Sequence, residues 1–197
     1  MSPRKIFVLD GHPGTRSLSR LFAETYAEAA RAAGHDVRMM HLSELDFDAD
    51  FGGGGYTNAK PLEPDLEAVM QAIEWSDHLV LTTPMWWGGL PARLKGLIDR
   101  AFLPGRSFDT RNTGITGMPR PMLNGRSARV ILTSDTPGWV MRLLYGRALV
   151  RQLRGQILGF VGFTPTRVTW FAQASHPKTG QIEHWTRRVR AIGAAAA

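Results

Sequence analysis

Two glycines within Pro84-Met85-Trp86-Trp87-Gly88-Gly89-Leu90-Pro91 join a short apolar run to an amphipathic one, and this junction narrows the possible folds more than any other stretch. The run before it, His78-Leu79-Val80-Leu81, has the length and β-branched content of a buried strand. Pro84 ends it, because proline cannot donate to a ladder. Pro91 suits the first turn of a helix, where a missing N–H is not missed. Behind it Leu94, Leu97, Ile98, Ala101 and Phe102 recur at three- and four-residue spacing and form one apolar face, while Arg93, Lys95, Asp99 and Arg100 fall mostly elsewhere. Strand, loop and core helix follow one another directly.

The same alternation runs through the chain. Lys5-Ile6-Phe7-Val8-Leu9 reads as a strand, residues 10–17 as a loop, and Leu18, Leu21, Phe22, Thr25 and Ala29 as the face of a helix that Ser17 caps and Gly34 stops. Asp36-Val37-Arg38-Met39-Met40-His41 is a second strand, nearer an edge because its alternation leaves polar positions. Pro64 opens a helix with Leu66, Val69, Met70 and Ile73 on its face. A Gly/Pro-rich excursion up to Gly125 precedes a fourth strand at residues 128–134, whose exit loop is Asp135-Thr136-Pro137-Gly138-Trp139. Leu143, Leu144, Leu149 and Leu153 mark a helical segment weakened by Gly146, and residues 155–162 are apolar without a clear period. A fifth strand at residues 167–171 and a helix marked by Ile182, Trp185, Val189 and Ile192 complete the pattern, and the terminal alanines read as a frayed end. This alternation predicts a single domain over residues 1–197, a three-layer α/β sandwich with a five-stranded parallel sheet in the order 2-1-3-4-5. In that order the ligand crevice opens between the loops after the first and third strands.

Both of those loops are chemically suggestive. The adjacent rings of Trp86 and Trp87 could cap the core, but on a glycine-rich loop at the carboxyl end of a strand they also suit a flat conjugated ligand. Asp10-Gly11-His12-Pro13-Gly14-Thr15-Arg16-Ser17 precedes a helix N-terminus, where free amides and the helix dipole favour an anion. Equally, its glycines could merely turn the chain. Neither a Gly-x-x-x-x-Gly-Lys-Ser/Thr nor a Gly-x-Gly-x-x-Gly run is present. The stretch around Asp46, Asp48, Asp50 and the glycines 52–55 holds no period and reads as a mobile flap or a dimer contact. Its spaced aspartates resemble the start of a calcium loop, but the closing glutamate is missing, so no metal is expected.

Composition removes several chemistries. With no cysteine there is no disulfide, thiol nucleophile, iron–sulfur cluster or thiolate zinc site. No apolar run approaches the ~18 residues needed to span a bilayer, and the N-terminal apolar run ends at Asp10, too short for a signal peptide. A cytoplasmic protein with no membrane span is expected. The net charge of +7 comes largely from late arginines spread over helical patterns, which reads as solvated helix faces and not as a nucleic-acid surface.

Leu9-Asp10-Gly11-His12-Pro13 with Ser17 and the first helix, together with Pro84-Met85-Trp86-Trp87-Gly88-Gly89-Leu90-Pro91-Ala92-Arg93-Leu94-Lys95-Gly96-Leu97-Ile98-Asp99-Arg100-Ala101-Phe102, resembles the flavodoxin-like NAD(P)H:quinone oxidoreductases. That family includes the ancillary oxidoreductases of potassium efflux systems. The likeness spans nearly the whole chain, and its specific part is Pro-x-x-Trp-x-x-x-Pro-x-x-Leu-Lys-x-x-x-Asp-Arg. The resemblance implies a homodimeric flavoprotein that binds FMN or FAD and uses NADPH or NADH as hydride donor and a quinone or other aromatic compound as acceptor. It further implies that His12, Arg16, Ser17, Leu18 and Ser19 hold the flavin phosphate end. Pro84, Met85, Trp86, Trp87 and Gly88 would line the isoalloxazine ring, with Ser134, Asp135, Thr136 and Gly138 touching it from the fourth strand.

The same resemblance implies ping-pong hydride transfer at one shared face, with the backbone amides of residues 86–89 stabilising the reduced ring. The family's Thr-Thr-Gly-Gly loop after the fourth strand, with its following Tyr and His, is replaced here by Ser134-Asp135-Thr136-Pro137-Gly138. No histidine occurs between Arg100 and Phe171, and Tyr145 is out of register. The alternative reading is a flavin-binding regulatory subunit with little turnover.

Overall fold

A computed structural model describes residues 2–114 and 117–196. Five parallel strands form the central sheet: β1 (Lys5–Asp10), β2 (Asp36–His41), β3 (His78–Pro84), β6 (Ser127–Ser134) and β7 (Thr166–Ala172). Their order is β2-β1-β3-β6-β7, which is 2-1-3-4-5 when only these strands are numbered, and β2 lies at an edge as expected. The register aligns Leu9 with Leu81, Leu81 with Val130 and Val130 with Val168, so apolar side chains stack across the sheet. Pro84 ends β3, but the strand runs three residues past the apolar run that announces it.

Alternation along each strand sorts side chains to two cores. Phe7, Leu9, Leu79, Leu81 and Val130 face α2 (Pro64–Trp75), α3 (Ala92–Ala101) and the helical segment over residues 148–161. Ile6, Val8, Val80 and Ile131 face α1 (Leu18–Ala32) and α7 (Gln181–Ala194). On α1 the buried face is carried by Phe22, Thr25, Tyr26 and Ala29, while Leu21, counted into it from spacing, is partly exposed.

Two regions differ from the expectation. The Gly/Pro-rich excursion contains an antiparallel ribbon, β4 (Phe108–Thr113) with β5 (Pro119–Pro121), hidden from sequence because its strands are short and polar. The helix after β6 breaks into α4 (Gly138–Leu143) and α5 (Ala148–Arg151), with Gly146 and Arg147 both at a φ of +53°. A π-helical turn (Gln152–Ile157) and α6 (Leu158–Val161) continue it, which resolves the ambiguous run as helix. Leu149 and Leu153 reach the core, whereas Leu143 and Leu144 stand in solvent. At the chain end Ala196 is buried and not frayed; Ala197 lies outside the described residues.

The acidic, glycine-rich stretch is a docked segment. Phe47 is buried beneath the Arg93 guanidinium, 4.6 Å from the ring centre, and the Cβ absent from Gly96 would lie 2.6 Å from Ala49 Cβ. Arg100, assigned by spacing to the polar side of α3, is 1% exposed and is the largest fully buried side chain. It donates to the carbonyls of Asp48 at 2.5 Å and Pro61 at 2.8 Å and forms a two-pronged pair with Glu63 at 3.1 and 2.8 Å. Burial alone would raise the Glu63 carboxyl, and the Arg100 guanidinium outweighs it, holding it below the ordinary value of 4.5.

Replacing Arg100 with Ala strands the Asp48 and Pro61 carbonyls, and unfolding in urea should show a loss of about 3 kcal/mol. Amide exchange over residues 46–63 should rise at the same time. In the unaltered protein, attachment of this segment is full above pH 4.5 and is lost as the pH falls through the depressed native pKa of Glu63, because protonation removes the charge that Arg100 binds. Exchange measured on either side of that range should follow this sign.

Candidate functional site

The crevice begins where β1 and β3 part at their carboxyl ends. Gly11 N–H donates to Thr82 O at 2.7 Å, and a Cβ on Gly11 would lie 2.7 Å from Leu94 and 3.0 Å from that carbonyl, so the loop leaves the sheet hard against β3. Beneath it lies Asp10, 0% exposed. Its carboxylate accepts from His12 N–H at 3.1 Å and Thr82 Oγ1 at 3.4 Å and meets His41 Nδ1 at 3.3 Å. Burial raises its pKa, against the lowering pull of these contacts.

Beyond Asp10 the loop turns toward α1. His12 Nδ1 lies 2.9 Å from Gly14 N and 3.2 Å from Gly14 O, which pins the ring against the loop. Ser17 caps the helix by accepting from Arg20 N–H at 3.0 Å. The Leu18 and Ser19 amides, in the first turn, then have no intrahelical acceptor. Arg16 is exposed and makes no hydrogen bond among the described residues. A rigid helix start with spare donors and a free guanidinium is a site for an oxyanion.

The opposite wall is a tight two-residue turn. Trp86 N–H donates to Gly89 O at 3.0 Å and Gly89 N–H to Trp86 O at 2.9 Å, with Trp87 at a φ of +50° and Gly88 at +77°. Positive φ at both central positions is the type I′ arrangement. This corrects the expectation for the loop's amides: those of Trp86 and Gly89 are spent on the turn, and only Trp87 and Gly88 retain theirs. Trp87 adopts a left-handed backbone uncommon for a bulky residue, and its side chain is fully exposed, so it caps no core. Trp86 reaches across to His12, ring edge to ring face at 5.5 Å. The two loops therefore touch.

Two cavities with a shared wall result. The inner one, of 250 Å³, is walled by His12, Arg16, Ser17, Leu18, Ser19, Pro84, Met85, Trp86, Ser134 and Asp135, with Thr133, Ala174 and Ser175. The outer one, of 450 Å³ and more apolar, is walled by Met85, Trp87, Gly88, Asp135 and Thr136, with Met141, Tyr145, Ala148 and Leu149. Met85 and Asp135 belong to both. Of the residues singled out from sequence, Gly138 alone is left out of both walls; it starts α4.

The loop after β6 is already engaged. Ser134 Oγ accepts from Trp170 Nε1 at 2.9 Å, and the Asp135 carboxylate takes both the Ser175 amide at 2.7 Å and its hydroxyl at 2.8 Å. Tyr145 lines the outer cavity although its register with the family pattern is lost. Ala174 and Ser175 went unnoticed in the sequence, yet they follow the last strand, where crevice residues are found. Among the described residues no group of three or more His, Asp or Glu side chains is arranged to hold a metal, and no helix is long and apolar enough to cross a membrane.

Known proteins share this architecture. An FMN-dependent NADH:quinone oxidoreductase of Nitratidesulfovibrio vulgaris is 30% identical over 190 residues, covering 86% of this chain and 87% of its own. One from Cereibacter sphaeroides is 34% identical over 131 residues, 66% of this chain, and the chain spans 61% of that relative's length. The solved structure of an NAD(P)H:quinone oxidoreductase from Methanothermobacter marburgensis superposes with a TM-score of 0.83 over 100% of both chains at 21% identity. An FMN-dependent NADH-azoreductase from Bacillus anthracis superposes at 0.74 with 15% identity, covering 98% of this chain and 99% of its own. At those identities the structures speak for the fold alone. A family model described as flavodoxin-like fold matches residues 4–192, and with the sheet order and these relatives it establishes that the chain belongs to that flavodoxin-like family.

Proposed function

We propose that this protein is a flavin-dependent NAD(P)H oxidoreductase that binds FMN in the crevice between the β1 and β3 loops and reduces a quinone or related aromatic acceptor. The supporting observation is the meeting of two unlike walls in one crevice: a helix start with spare donors and Arg16, and a strained turn bearing Trp86, Trp87 and two free amides. These residues fit the group. The donors around Ser17 suit a terminal phosphate, and a Cβ on Gly88 would meet nothing within 4 Å, so the turn opens onto free space where a flat ring could lie. A single phosphate cradle favours FMN over FAD, and the names of the N. vulgaris and C. sphaeroides relatives favour FMN and NADH.

When bound, the flavin supplies the redox chemistry, accepting hydride from reduced nicotinamide and passing it to the acceptor. The protein positions and shields. Arg16 and the Leu18 and Ser19 amides would hold the phosphate. The Trp87 and Gly88 amides, kept in place by the turn and therefore preorganised, would be available to hold the ring. Met85, Trp87, Met141 and Tyr145 give the outer cavity its apolar walls, which suits a nicotinamide or a quinone in alternation and keeps water from the exchange. A need for reduced nicotinamide supports a cytoplasmic location. The exposed side chains of Trp139, Leu143, Leu144 and Tyr145 beside the crevice support a homodimer that covers them. A regulatory subunit is the second reading. It is favoured by the engagement of Ser134 and Asp135, which leaves the β6 loop without a free acid or base.

Protein incubated with FMN and desalted should keep an absorption band near ~450 nm that bleaches anaerobically with NADH, since the bound group carries the chemistry. A band that persists with both NADH and NADPH would select the regulatory reading, and no retained band would overturn the site. Arg16→Ala should weaken FMN by about tenfold, ~1.4 kcal/mol, while leaving riboflavin unaffected, because only the phosphate contact is lost. Gly88→Val, which cannot keep the left-handed turn, should abolish flavin retention in a folded protein. Light scattering should give twice 21.8 kDa, falling to the single-chain mass in Leu143→Asp/Leu144→Asp.

A further inference from the structure

The inner cavity is short of positive charge for an oxyanion. Its wall carries one permanent cation, Arg16, and one carboxylate, Asp135. A second carboxylate, Asp10, lies one hydrogen bond behind the wall, accepting from the amide of His12 at 3.1 Å. Asp10 is 0% exposed, and burial, the largest influence on its carboxyl, pushes the pKa above the ordinary value of 3.8. A buried carboxylate beneath such a site repels what the site is built to hold, unless its charge is answered.

The group that faces Asp10 is His41 at the end of β2, 7% exposed, with Nδ1 3.3 Å from Asp10 Oδ2. Two lone pairs at that separation repel, so a proton lies between the two atoms. The other ring nitrogen, Nε2, has no partner among the described residues and is not sealed from solvent. The pair therefore has two charge states. With one proton it is a carboxylate and a neutral imidazole, and carries a negative charge. With two it is neutral as a whole, either imidazolium with carboxylate or imidazole with carboxylic acid, and in both descriptions the added proton sits on Nε2. Which atom owns the bridging proton does not alter the count.

The other charged groups nearby are spoken for or turned to the cavity. Arg20 on α1 is bound by Glu24 at 3.0 Å and Glu44 at 2.9 Å, and the Arg93 guanidinium donates to Leu45 O. From β3 comes the Thr82 hydroxyl, which donates to Asp10 Oδ1 at 3.4 Å. His12 and Arg16 belong to the cavity wall, as does Asp135, whose carboxylate is held by Ser175. Among the described residues, His41 is thus the one titratable side chain within hydrogen-bonding reach of the Asp10 carboxylate.

We propose that the Asp10–His41 pair is the counter-charge of the oxyanion site: binding of the FMN phosphate draws a proton from solvent onto His41 Nε2, and the neutral pair holds the His12 amide without repelling the phosphate. This rests on the reading of the α1 start as the phosphate site. Asp10 and His41 are positioning residues, acting through the loop and through charge. By linkage, affinity for FMN falls as the pH rises through the titration of the pair, by roughly threefold to tenfold, the effect of one nearby charge on a dianion. Riboflavin, which has no phosphate, shows no such dependence.

The test is calorimetric titration with FMN between about pH 6 and 9, the range in which imidazoles change charge, in two buffers of unlike ionisation enthalpy. The parent protein should take up a fraction of a proton that is missing in Asp10→Asn. His12 and the FMN phosphate contribute alike to both proteins, so the difference belongs to the pair. In the parent itself the His41 imidazole signals should titrate at higher pH with FMN bound than without. His41→Gln, which leaves the Asp10 charge unanswered, should weaken FMN by roughly threefold to tenfold at the acid end of the range. Asp10→Asn/His41→Gln should restore it, a repair that lost packing would not show. Equal proton uptake in the parent and Asp10→Asn at every pH, an unmoved His41 titration, or no repair in the double variant would overturn the proposal while leaving the FMN site in place. Failure to bind FMN would instead overturn the site reading. The pair is then tested with inorganic phosphate through the Leu18 and Ser19 amide shifts. No saturable shift up to about 50 mM, a weak-binding limit, or the same pH dependence in Asp10→Asn, would overturn it as well.

Discussion

The 2.7 Å hydrogen bond from Gly11 N–H to Thr82 O is the constraint on which the crevice depends. It continues the β1–β3 ladder one residue past the strand and brings two loop origins together at a place where any side chain would collide with Leu94. Asp10, buried just below, fixes the next residues through the His12 amide. Once the first loop is anchored in this way, α1 must start close to the Trp86–Gly89 turn, and Trp86 meets His12. A single close approach in the backbone thus converts the order of the strands into a binding geometry.

The turn opposite obtains its shape differently. Its two internal hydrogen bonds are satisfied within four residues, and the left-handed backbone at Trp87 is a local strain borne by the packed helix and strand on either side. A fully exposed tryptophan held in an uncommon conformation has no explanation in the core of one chain. Ligand and partner are the two surfaces that such a ring can serve.

What could be read from the residues was whatever depended on local period or on the topological rule. Strand and helix positions followed from alternation and from three- and four-residue spacing, and the crevice loops followed from the sheet order. Long-range polar pairing was not visible. Arg100 sits on α3 beside apolar positions, but its partners lie 37 and 52 residues away along the chain. Nothing in its neighbourhood separates it from a solvated arginine. The same applies to Ser134 and Asp135, for which the family resemblance implied contact with a ligand while their hydroxyl and carboxylate are taken by Trp170 and Ser175. The exposure of Leu143 and Leu144 has another origin: the helical segment breaks at Gly146 and Arg147, where the backbone turns left-handed.

Arg100 also shapes how the chain tolerates change. It grips the polypeptide before the glycine stretch at Asp48 and after it at Pro61 and Glu63, and Lys60 ties the same two flanks together through Asp48 at 2.7 Å. The glycines between them, residues 52–55, make no contribution to either core. The ends of that stretch are therefore fixed by one buried side chain and not by the covalent continuity of the loop. This is the place where the chain could be reopened, with new termini or a grafted module, while the sheet and the crevice stay intact.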